Sequence, residues 1–313
     1  MVLKVDSFDD HYLRSLEDIY MSACKLRQSV FNWPDMSNYD NSYVTDLKNQ
    51  HYSIIKAFFD NKILENVKDE INHAFEQASL IQPPIRISSV SDVDNTNMTN
   101  HEIDRQPRLN DKELLKGEEY IKKNTSYIQL KEPLSTVPSL LSLVLDLRLL
   151  RLAQEYLGCF PLMTYVKVQR TWANSLPETN TQLWHVDIDA FKLLKAFIFL
   201  DDINMDGGAT QFVKGSHFFA DGKYEFKDRW SNEEVQSSFG RNNIMSPALA
   251  FGDLFLLDTL QIHRGSRPKN KDRTVIIANF CAHPEQASGG YLDLTSFDNT
   301  LLHPLQIKSL TTG

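Results

Sequence analysis

The segment LLKAFIFLDDINMDGGATQFVKGSH, residues 193–217, contains two short apolar runs, Leu193–Leu200 and Ala209–Val213. Glycine and polar residues separate and follow these runs, in Asp206-Gly207-Gly208 and in Lys214-Gly215-Ser216. Because glycine accepts the backbone conformations of tight turns, both places predict chain reversals. Short apolar runs between turns are typical of strands in a sandwich or a barrel. We therefore predict a double-layer β fold around this segment.

The same alternation of short apolar runs and turns extends on both sides of this segment, from about residue 161 to about residue 285. Turn signals lie at Phe251-Gly252-Asp253 and at Arg267-Pro268-Lys269-Asn270. The C-terminal half is therefore predicted to be mainly β. Four further apolar runs predict strands there: Leu162–Gln169, Gln182–Ile188, Leu254–Asp258 and Arg273–Phe280.

Residues 51–160 show the spacing of amphipathic helices instead. Asp60 is predicted to cap one helix, and Asp146 a second helix that stops at Gly158. We expect these helices to support the β core, so that residues 51–313 form a single domain. The apolar face of the first helix is predicted to consist of Ile63, Leu64, Val67, Ile71, Ala74 and Phe75.

Two stretches show little periodicity. Residues 1–50 mix a few apolar positions with a polar run rich in asparagine and aspartate, and are predicted to be an N-terminal extension with little chemistry. Residues 83–116 are rich in serine, aspartate, asparagine and threonine, and predict a long surface loop or a lid.

The composition is that of a globular protein, with 313 residues, 42% of them hydrophobic. The formal net charge of −8 argues against nucleic acid as the main partner, because phosphate binding needs a surplus of lysine and arginine. The sequence contains no apolar run of the roughly 18 residues that a membrane span needs. Acidic residues near the N-terminus do not fit a signal peptide, which predicts a cytoplasmic protein. Cys24, Cys159 and Cys281 are predicted to be reduced.

His185 and Asp187 stand two residues apart in the run Gln182–Ile188. On a strand such residues point to the same face, so an imidazole and a carboxylate would project together. A histidine from another strand would complete a site of two histidines and one carboxylate, which leaves positions open on iron(II). His263, which follows the predicted strand Leu254–Asp258, is the candidate for this third ligand.

Arg273 strengthens this interpretation. It opens the next predicted strand, ten residues after His263. A buried guanidinium can hold a carboxylate with two parallel hydrogen bonds. A dicarboxylate such as 2-oxoglutarate could therefore bind Arg273 with one end and the metal with the other.

Five motifs that include these residues follow one another along the chain. They are His185-Val186-Asp187, Leu200-Asp201-Asp202, Gly208 with Lys214-Gly215-Ser216-His217, Gly252-Asp253-Leu254-Phe255-Leu256-Leu257-Asp258, and His263-Arg264-Gly265 with Arg273. As a set they resemble the phytanoyl-CoA dioxygenase family. The resemblance runs from about Tyr52 to about Phe280, which is most of the chain.

The resemblance implies a double-stranded β-helix, a jelly-roll or cupin-like core, supported by an N-terminal helical region. It further implies iron(II) held by His185, Asp187 and His263, and 2-oxoglutarate bound by Arg273. Dioxygen would be the other co-substrate. The implied reaction is hydroxylation of an unactivated C–H bond of a small molecule, with release of succinate and CO2.

The chain departs from the family pattern at Lys214, where the family often has proline before Gly-Ser-His. The histidine-to-arginine spacing also varies among relatives. Neither departure affects the metal ligands, but both leave the other contacts of 2-oxoglutarate open; Gln169 is a candidate and Ser266 a weaker one. Asp187 favours hydroxylation over halogenation, because a halogenase of this fold needs a small residue at that position.

Two other functions are compatible with the residues alone: a cupin-like metal enzyme that does not use 2-oxoglutarate, and a non-catalytic jelly-roll binding protein. Arg273 argues against the first and the intact ligand set against the second. The oligomeric state is open. Packing, turns or solvent exposure explain other polar and aromatic residues better than a role in the site does: Arg170, Trp172, Trp184, Lys195, Asp201, Asp202, His217, Asp253, Asp258, Arg264, Arg267, Cys281 and His283.

Overall fold

Two antiparallel sheets form the centre of the fold in the computed structural model, which describes residues 10–28, 33–34, 40, 42–77, 85–89, 111–114, 116–130, 132–176, 178, 180–188, 190–221, 227, 229–283 and 302–310. The strands are β1 (Tyr52–Ile55), β2 (Ile85–Ser89), β3 (Thr125–Leu130), β4 (Leu162–Thr171), β5 (Leu193–Phe199), β6 (Thr210–Val213), β7 (Ile244–Met245), β8 (Leu254–Leu257), β9 (His263–Gly265) and β10 (Arg273–Cys281). The helices are α1 (Asp10–Arg27), α2 (Ser42–Gln50), α3 (Asn61–Gln77), α4 (Asp111–Leu114), α5 (Glu118–Asn124), α6 (Pro133–Thr136), α7 (Leu140–Val144), α8 (Leu147–Leu157), α9 (Phe218–Asp221), α10 (Asn232–Phe239) and α11 (Pro304–Leu310). None of these described helices has the length and the apolar composition that a bilayer span requires.

The larger sheet has seven strands in the order β1-β8-β5-β10-β4-β3-β2, and the smaller sheet has three in the order β7-β6-β9. Each of these pairings is antiparallel. Strands that follow one another in the chain pass between the two sheets, as β5 and β6 or β8 and β9 do. This is the topology of a jelly roll. The predicted jelly-roll core with flanking helices is confirmed.

Strand β5 is buried on both faces, which explains why its sequence is apolar without alternation. Ala196 and Ile198 belong to the core that the large sheet forms with the helices. Phe197 and Phe199 point the other way and pack with Phe255 in the space between the two sheets. The inner face of the large sheet and the small sheet therefore enclose an interior, and the functional side chains project into it.

The helix signals in the sequence are confirmed. Asp60 caps α3 by accepting a hydrogen bond from the amide of Ile63 at 3.2 Å. Asp146 caps α8 by accepting one from the amide of Arg148 at 2.8 Å. Gly158 ends α8 with φ of 80°, a left-handed conformation that glycine adopts without steric cost.

Two details of the predicted secondary structure were wrong. In residues 182–188 only Trp184 and His185 form β-bridges, because the following backbone runs beside a loop: the amide of Asp187 donates to the carbonyl of Thr259 at 3.0 Å. Within residues 83–116, β2 pairs with β3 at the edge of the large sheet. Its isoleucines favour a strand despite the polar surroundings. Much of the rest of that stretch lies outside the described residues.

Helix α1, in the predicted N-terminal extension, is attached to the core by hydrogen bonds. The hydroxyl of Tyr20 donates to the carbonyl of Leu157 at 2.5 Å. Arg27 Nε donates to the carbonyl of Phe160 at 2.9 Å, and Arg27 Nη2 donates to the carbonyl of Lys308 at 3.1 Å. The extension thus contacts both the α8–β4 connection and α11.

We predict that Gly208→Ala destabilises the protein more than Gly215→Ala. Both glycines have positive φ, 78° and 76°, so each substitution should cost about 1–2 kcal/mol of unfolding free energy for the backbone conformation alone. A Cβ on Gly208 would also lie 2.7 Å from the nitrogen of Pro268 and 2.8 Å from the carbonyl oxygen of Ser266, whereas one on Gly215 meets no described atom within 4 Å. Urea unfolding midpoints of the two variants test this; equal midpoints would contradict it.

Candidate active site

The three predicted metal ligands come together between the sheets. The backbones of His185 and His263 exchange two hydrogen bonds, of 3.0 and 2.9 Å, which place both histidines side by side. His263 begins β9, and Asp187 reaches the same centre through the bond from its amide to Thr259. The structure brings the side chains of His185 and Asp187 to one centre, as the spacing argument predicts, but a loop rather than a strand positions Asp187.

The ligand atoms are close enough to hold one ion. The distance from His185 Nε2 to Asp187 Oδ1 is 3.8 Å, and that from His263 Nε2 to Asp187 Oδ2 is 3.3 Å. One ligand atom from each residue lies within 4.8 Å of the other two. Both imidazoles are buried, and the Asp187 side chain is 19% exposed.

Backbone carbonyls set the tautomer of both histidines. His185 Nδ1 lies 2.7 Å from the carbonyl of Leu183, and His263 Nδ1 lies 2.9 Å from the carbonyl of Gln261. A carbonyl can only accept, so Nδ1 carries the hydrogen in both rings. The lone pair is then on Nε2, the atom that faces Asp187. This is the tautomer that a metal needs from an imidazole.

The protonation states also suit a metal. Burial, and then the neighbouring His263, hold the pKa of His185 well below its usual value, so the ring stays neutral. Burial would raise the pKa of Asp187, but Lys195 and then the neighbouring His263 outweigh it and hold that pKa well below the usual range. The site therefore offers a neutral imidazole from His185 and an ionised carboxylate from Asp187, with the imidazole of His263 beside them.

A second group with metal-ligand geometry occurs among the described residues: His51, His217 and Asp258. Here the tautomer is the opposite one. The amide of Ala220 donates to His217 Nδ1 at 3.1 Å, so the hydrogen of the neutral ring is on Nε2, 3.2 Å from Asp258 Oδ2. The hydroxyl of Tyr156 also donates to Asp258 Oδ2, at 2.6 Å. This group is a hydrogen-bonded network around a buried carboxylate and does not offer a free lone pair from His217.

Arg273 begins β10 and points into the interior, where it is 3% exposed. Its Nη1 donates to the carbonyls of Gly208 and Ser266, and its Nη2 donates to the hydroxyl of Thr171 at 3.0 Å. Its Nε has no acceptor among the described residues, and no described carboxylate contributes to its pKa, which burial alone shifts. Burial lowers the pKa of Arg273 to about 10, so it is charged at neutral pH.

The position of Arg273 relative to the metal ligands suits a short dicarboxylic acid. A Cβ built on Gly265 would lie 3.7 Å from Arg273 Nη2, and Gly265 is two residues beyond His263 on β9. Two strand positions span roughly 6.6 Å. A five-carbon diacid is of comparable length, so the residues present fit 2-oxoglutarate bound between Arg273 and a metal.

Of the two other predicted contacts, Gln169 lies two positions along β4 from Thr171, which is the residue opposite Arg273. Its Nε2 donates to the hydroxyl of Thr171 at 3.1 Å. Ser266 donates its hydroxyl to the carbonyl of Ala209 at 2.5 Å. Thr171 is the contact that sequence reasoning missed. Strand alternation from Gln169 could have found it, because both residues share one face of β4.

Lys195 is the second residue whose role was missed. It projects from β5, and its Nζ lies 2.5 Å from Asp187 Oδ2. The signal in the sequence was a lone charge within the apolar run 193–200.

Arg264 and Trp184 also contact each other, with the guanidinium 4.4 Å from the ring centroid, and Arg264 pairs with Glu178 at 3.4 Å.

Two histidines and one carboxylate inside a jelly roll define a class, the non-haem iron(II) oxygenases. The model of the family Phytanoyl-CoA dioxygenase (PhyH) matches residues 52–275. The chain therefore belongs to this family and is an iron(II)- and 2-oxoglutarate-dependent enzyme. The predicted family and enzyme class are confirmed.

Solved structures share the fold at low sequence identity. The non-heme alpha ketoglutarate dependent carbocyclase SnoK from nogalamycin biosynthesis is 12% identical, with a TM-score of 0.52, over 80% of this chain and 87% of SnoK. EctD from S. alaskensis, solved with 2-oxoglutarate and 5-hydroxyectoine, is 14% identical, with a TM-score of 0.52, over 80% of this chain and 78% of EctD. No curated protein sequence matches the chain. At these identities the likeness shows the fold.

We predict that the protein binds one iron(II) per chain and that His185→Ala weakens this binding by more than about 100-fold, because a ligand contributes more than the outer contacts whose loss costs roughly 10–100-fold. Anaerobic titration calorimetry measures both quantities. His73→Ala, which removes an exposed histidine, is the matched control and should bind iron(II) like the wild type. Binding of two equivalents would contradict our interpretation of the His217 network.

Proposed function

We propose that the protein hydroxylates an unactivated C–H bond of a small-molecule substrate, with iron(II) held by His185, Asp187 and His263 and with 2-oxoglutarate anchored by Arg273. Succinate and CO2 are the products of the co-substrate. The observation that carries the proposal is the guanidinium of Arg273, buried between the sheets with an unused Nε and no described carboxylate beside it. Such a charge costs free energy unless a bound anion compensates it.

The residues around Arg273 support the assignment of its ligand. The carbonyls of Gly208 and Ser266 accept hydrogen bonds from Arg273 Nη1, and these bonds fix the plane of the guanidinium. Thr171 accepts hydrogen bonds from Arg273 and Gln169, which leaves its own hydrogen for a carboxylate oxygen. A guanidinium held in this way presents a fork that matches a carboxylate. A metal enzyme that did not bind a dicarboxylate would have no use for it.

When bound, iron(II) with 2-oxoglutarate and dioxygen supplies the oxidising chemistry, and the protein supplies ligation and orientation. The carbonyls of Leu183 and Gln261 keep the Nε2 atoms of His185 and His263 free for the metal. Asp187 supplies the third ligand. Because this carboxylate is present, the position that a halide would need is taken, which favours hydroxylation over halogenation.

The fold does not by itself select the outcome of the reaction. SnoK is described as a carbocyclase, and EctD was solved with a hydroxylated compound, on the same jelly roll. Ring closure or desaturation would use the same ligands in this chain. We propose hydroxylation because it changes a single C–H bond of the substrate, whereas ring closure and desaturation each require a second substrate group held for reaction.

We predict that Arg273→Gln weakens binding of 2-oxoglutarate by at least about 100-fold, because two charge-assisted hydrogen bonds are lost. Binding is followed anaerobically by the charge-transfer absorbance that iron(II) and 2-oxoglutarate give together. Iron(II) affinity should stay unchanged. Arg273→Lys, which keeps the charge but not the fork, should lie between the wild type and Arg273→Gln.

Arg241→Gln is the matched control, since it removes an exposed arginine far from the metal ligands in sequence. It should bind 2-oxoglutarate like the wild type. The proposal fails if the wild type shows no such absorbance, or if Arg273→Gln shows it at wild-type concentrations of 2-oxoglutarate.

A further inference from the structure

Two cysteine thiols that the proposed function does not use meet where helix α1 packs against the core. Cys24 is on α1, and Cys159 follows Gly158 at the end of α8. Both are free thiols, and their side chains are hydrogen-bonded to each other. The pair therefore joins the N-terminal helix to a chain segment that is distant in sequence.

One face of α1 holds Cys24 in this place. Tyr20, Cys24 and Arg27 are three or four residues apart, so their side chains share one side of the helix. The hydroxyl of Tyr20 donates to the carbonyl of Leu157 at 2.5 Å, and Cys24 Sγ lies 4.0 Å from the same oxygen. Arg27 Nε donates at 2.9 Å to the carbonyl of the residue that follows Cys159. The contact between the two thiols is thus fixed on both sides by hydrogen bonds.

The two thiols differ in access and in acidity. Cys159 is 2% exposed, whereas Cys24 is half-buried and can be reached from solvent. The hydrogen bond from Cys159 outweighs burial and lowers the pKa of Cys24 to about 7, and the charge of Lys192 acts in the same direction. The same hydrogen bond, together with burial, raises the pKa of Cys159. Because the thiolate is the nucleophile, Cys24 is the sulfur that reacts first.

We propose that Cys24 and Cys159 are an oxidation site at which a disulfide forms, with a small disulfide such as glutathione disulfide as the oxidant. The thiolate of Cys24 attacks one sulfur of the oxidant, which gives a mixed disulfide and releases one small thiolate. The sulfur of Cys159 then attacks the sulfur of Cys24. The second small thiol leaves with the proton of Cys159, so two electrons pass from the cysteine pair to the oxidant.

The disulfide attaches α1 covalently to the core. Leu16, on the same helix, belongs to one apolar cluster with Trp184 and Ile262. These two residues directly precede His185 and His263 in the chain. Helix α1 is therefore part of the packing around both histidine segments, and the disulfide fixes the helix in that packing.

The test uses the full-length wild-type protein, incubated anaerobically with an excess of glutathione disulfide, then alkylated and digested with trypsin. We expect a disulfide between the tryptic peptides 15–25 and 152–167, which contain Cys24 and Cys159, and the loss of two of the three free thiols. An excess of reduced glutathione should reverse the reaction. Cys281→Ala, which removes the third cysteine, is the matched control and should form the same cross-link.

The two cysteines of the pair should respond differently to substitution. Cys24→Ser should give neither the cross-link nor a glutathione adduct, because the attacking thiolate is lost. Cys159→Ala should stop after the first step and accumulate a mixed disulfide on Cys24. The oxidised wild type should also unfold at a higher urea concentration than the reduced wild type, because the cross-link restrains the unfolded chain. Cys24→Ser should show no such difference between the two conditions.

The proposal is overturned if the wild type keeps all three thiols, if the cross-link includes Cys281, or if the reaction stops at a mixed disulfide on Cys24. An adduct on Cys159 in Cys24→Ser would also overturn it, because the roles of the two sulfurs would then be reversed. Equal urea midpoints for oxidised and reduced wild type would contradict the attachment of α1. The cross-link in the wild type is mapped without any variant and without iron or 2-oxoglutarate, so its absence is distinct from failure of the proposed function.

Discussion

The pair of backbone hydrogen bonds between His185 and His263 is the interaction on which the site depends. It joins two chain segments that are distant in sequence and brings their imidazoles together, with ring centroids 4.2 Å apart. A slip of one residue in this pairing would turn one imidazole to the opposite face. The metal site can therefore exist in one register only, and β6, which pairs with β9 on its other side, helps to hold that register.

The loop between β8 and β9 extends this constraint to the carboxylate. The carbonyl of Thr259 accepts a hydrogen bond from the amide of Asp187, and the carbonyl of Gln261 accepts one from Nδ1 of His263. Asp258, which is fully buried, holds the loop by accepting hydrogen bonds from a tyrosine hydroxyl and a backbone amide. One loop thus orients two of the three ligands. This arrangement gives Asp258, the last residue of the family motif, a structural role.

Sequence patterns could predict what depends on local spacing. The caps at Asp60 and Asp146, the strands and the motif order that implied His185, Asp187 and His263 are of this kind. What could not be predicted depends on pairing between distant segments. Strand alternation places Thr171 on the same face of β4 as Gln169, but its position opposite Arg273 depends on the register of β4 and β10. Lys195 reaches Asp187 because β5 of the large sheet faces the loop that follows His185. The sequence contained both residues but not the distance between them and their partners.

The buried charges of Arg273 and Lys195 are not expected in an interior that serves stability alone. An interior that served stability alone would gain by replacing a buried ion pair with apolar side chains of similar volume. The interior of this jelly roll has such side chains next to the site, in Phe197, Phe199 and Phe255. Arg273 and Lys195 project from the neighbouring strands into the same space. In the proposed function the cost of burying Arg273 is offset when 2-oxoglutarate binds, because a ligand that binds only the folded state stabilises it. The aromatic layer beside these residues supplies the packing.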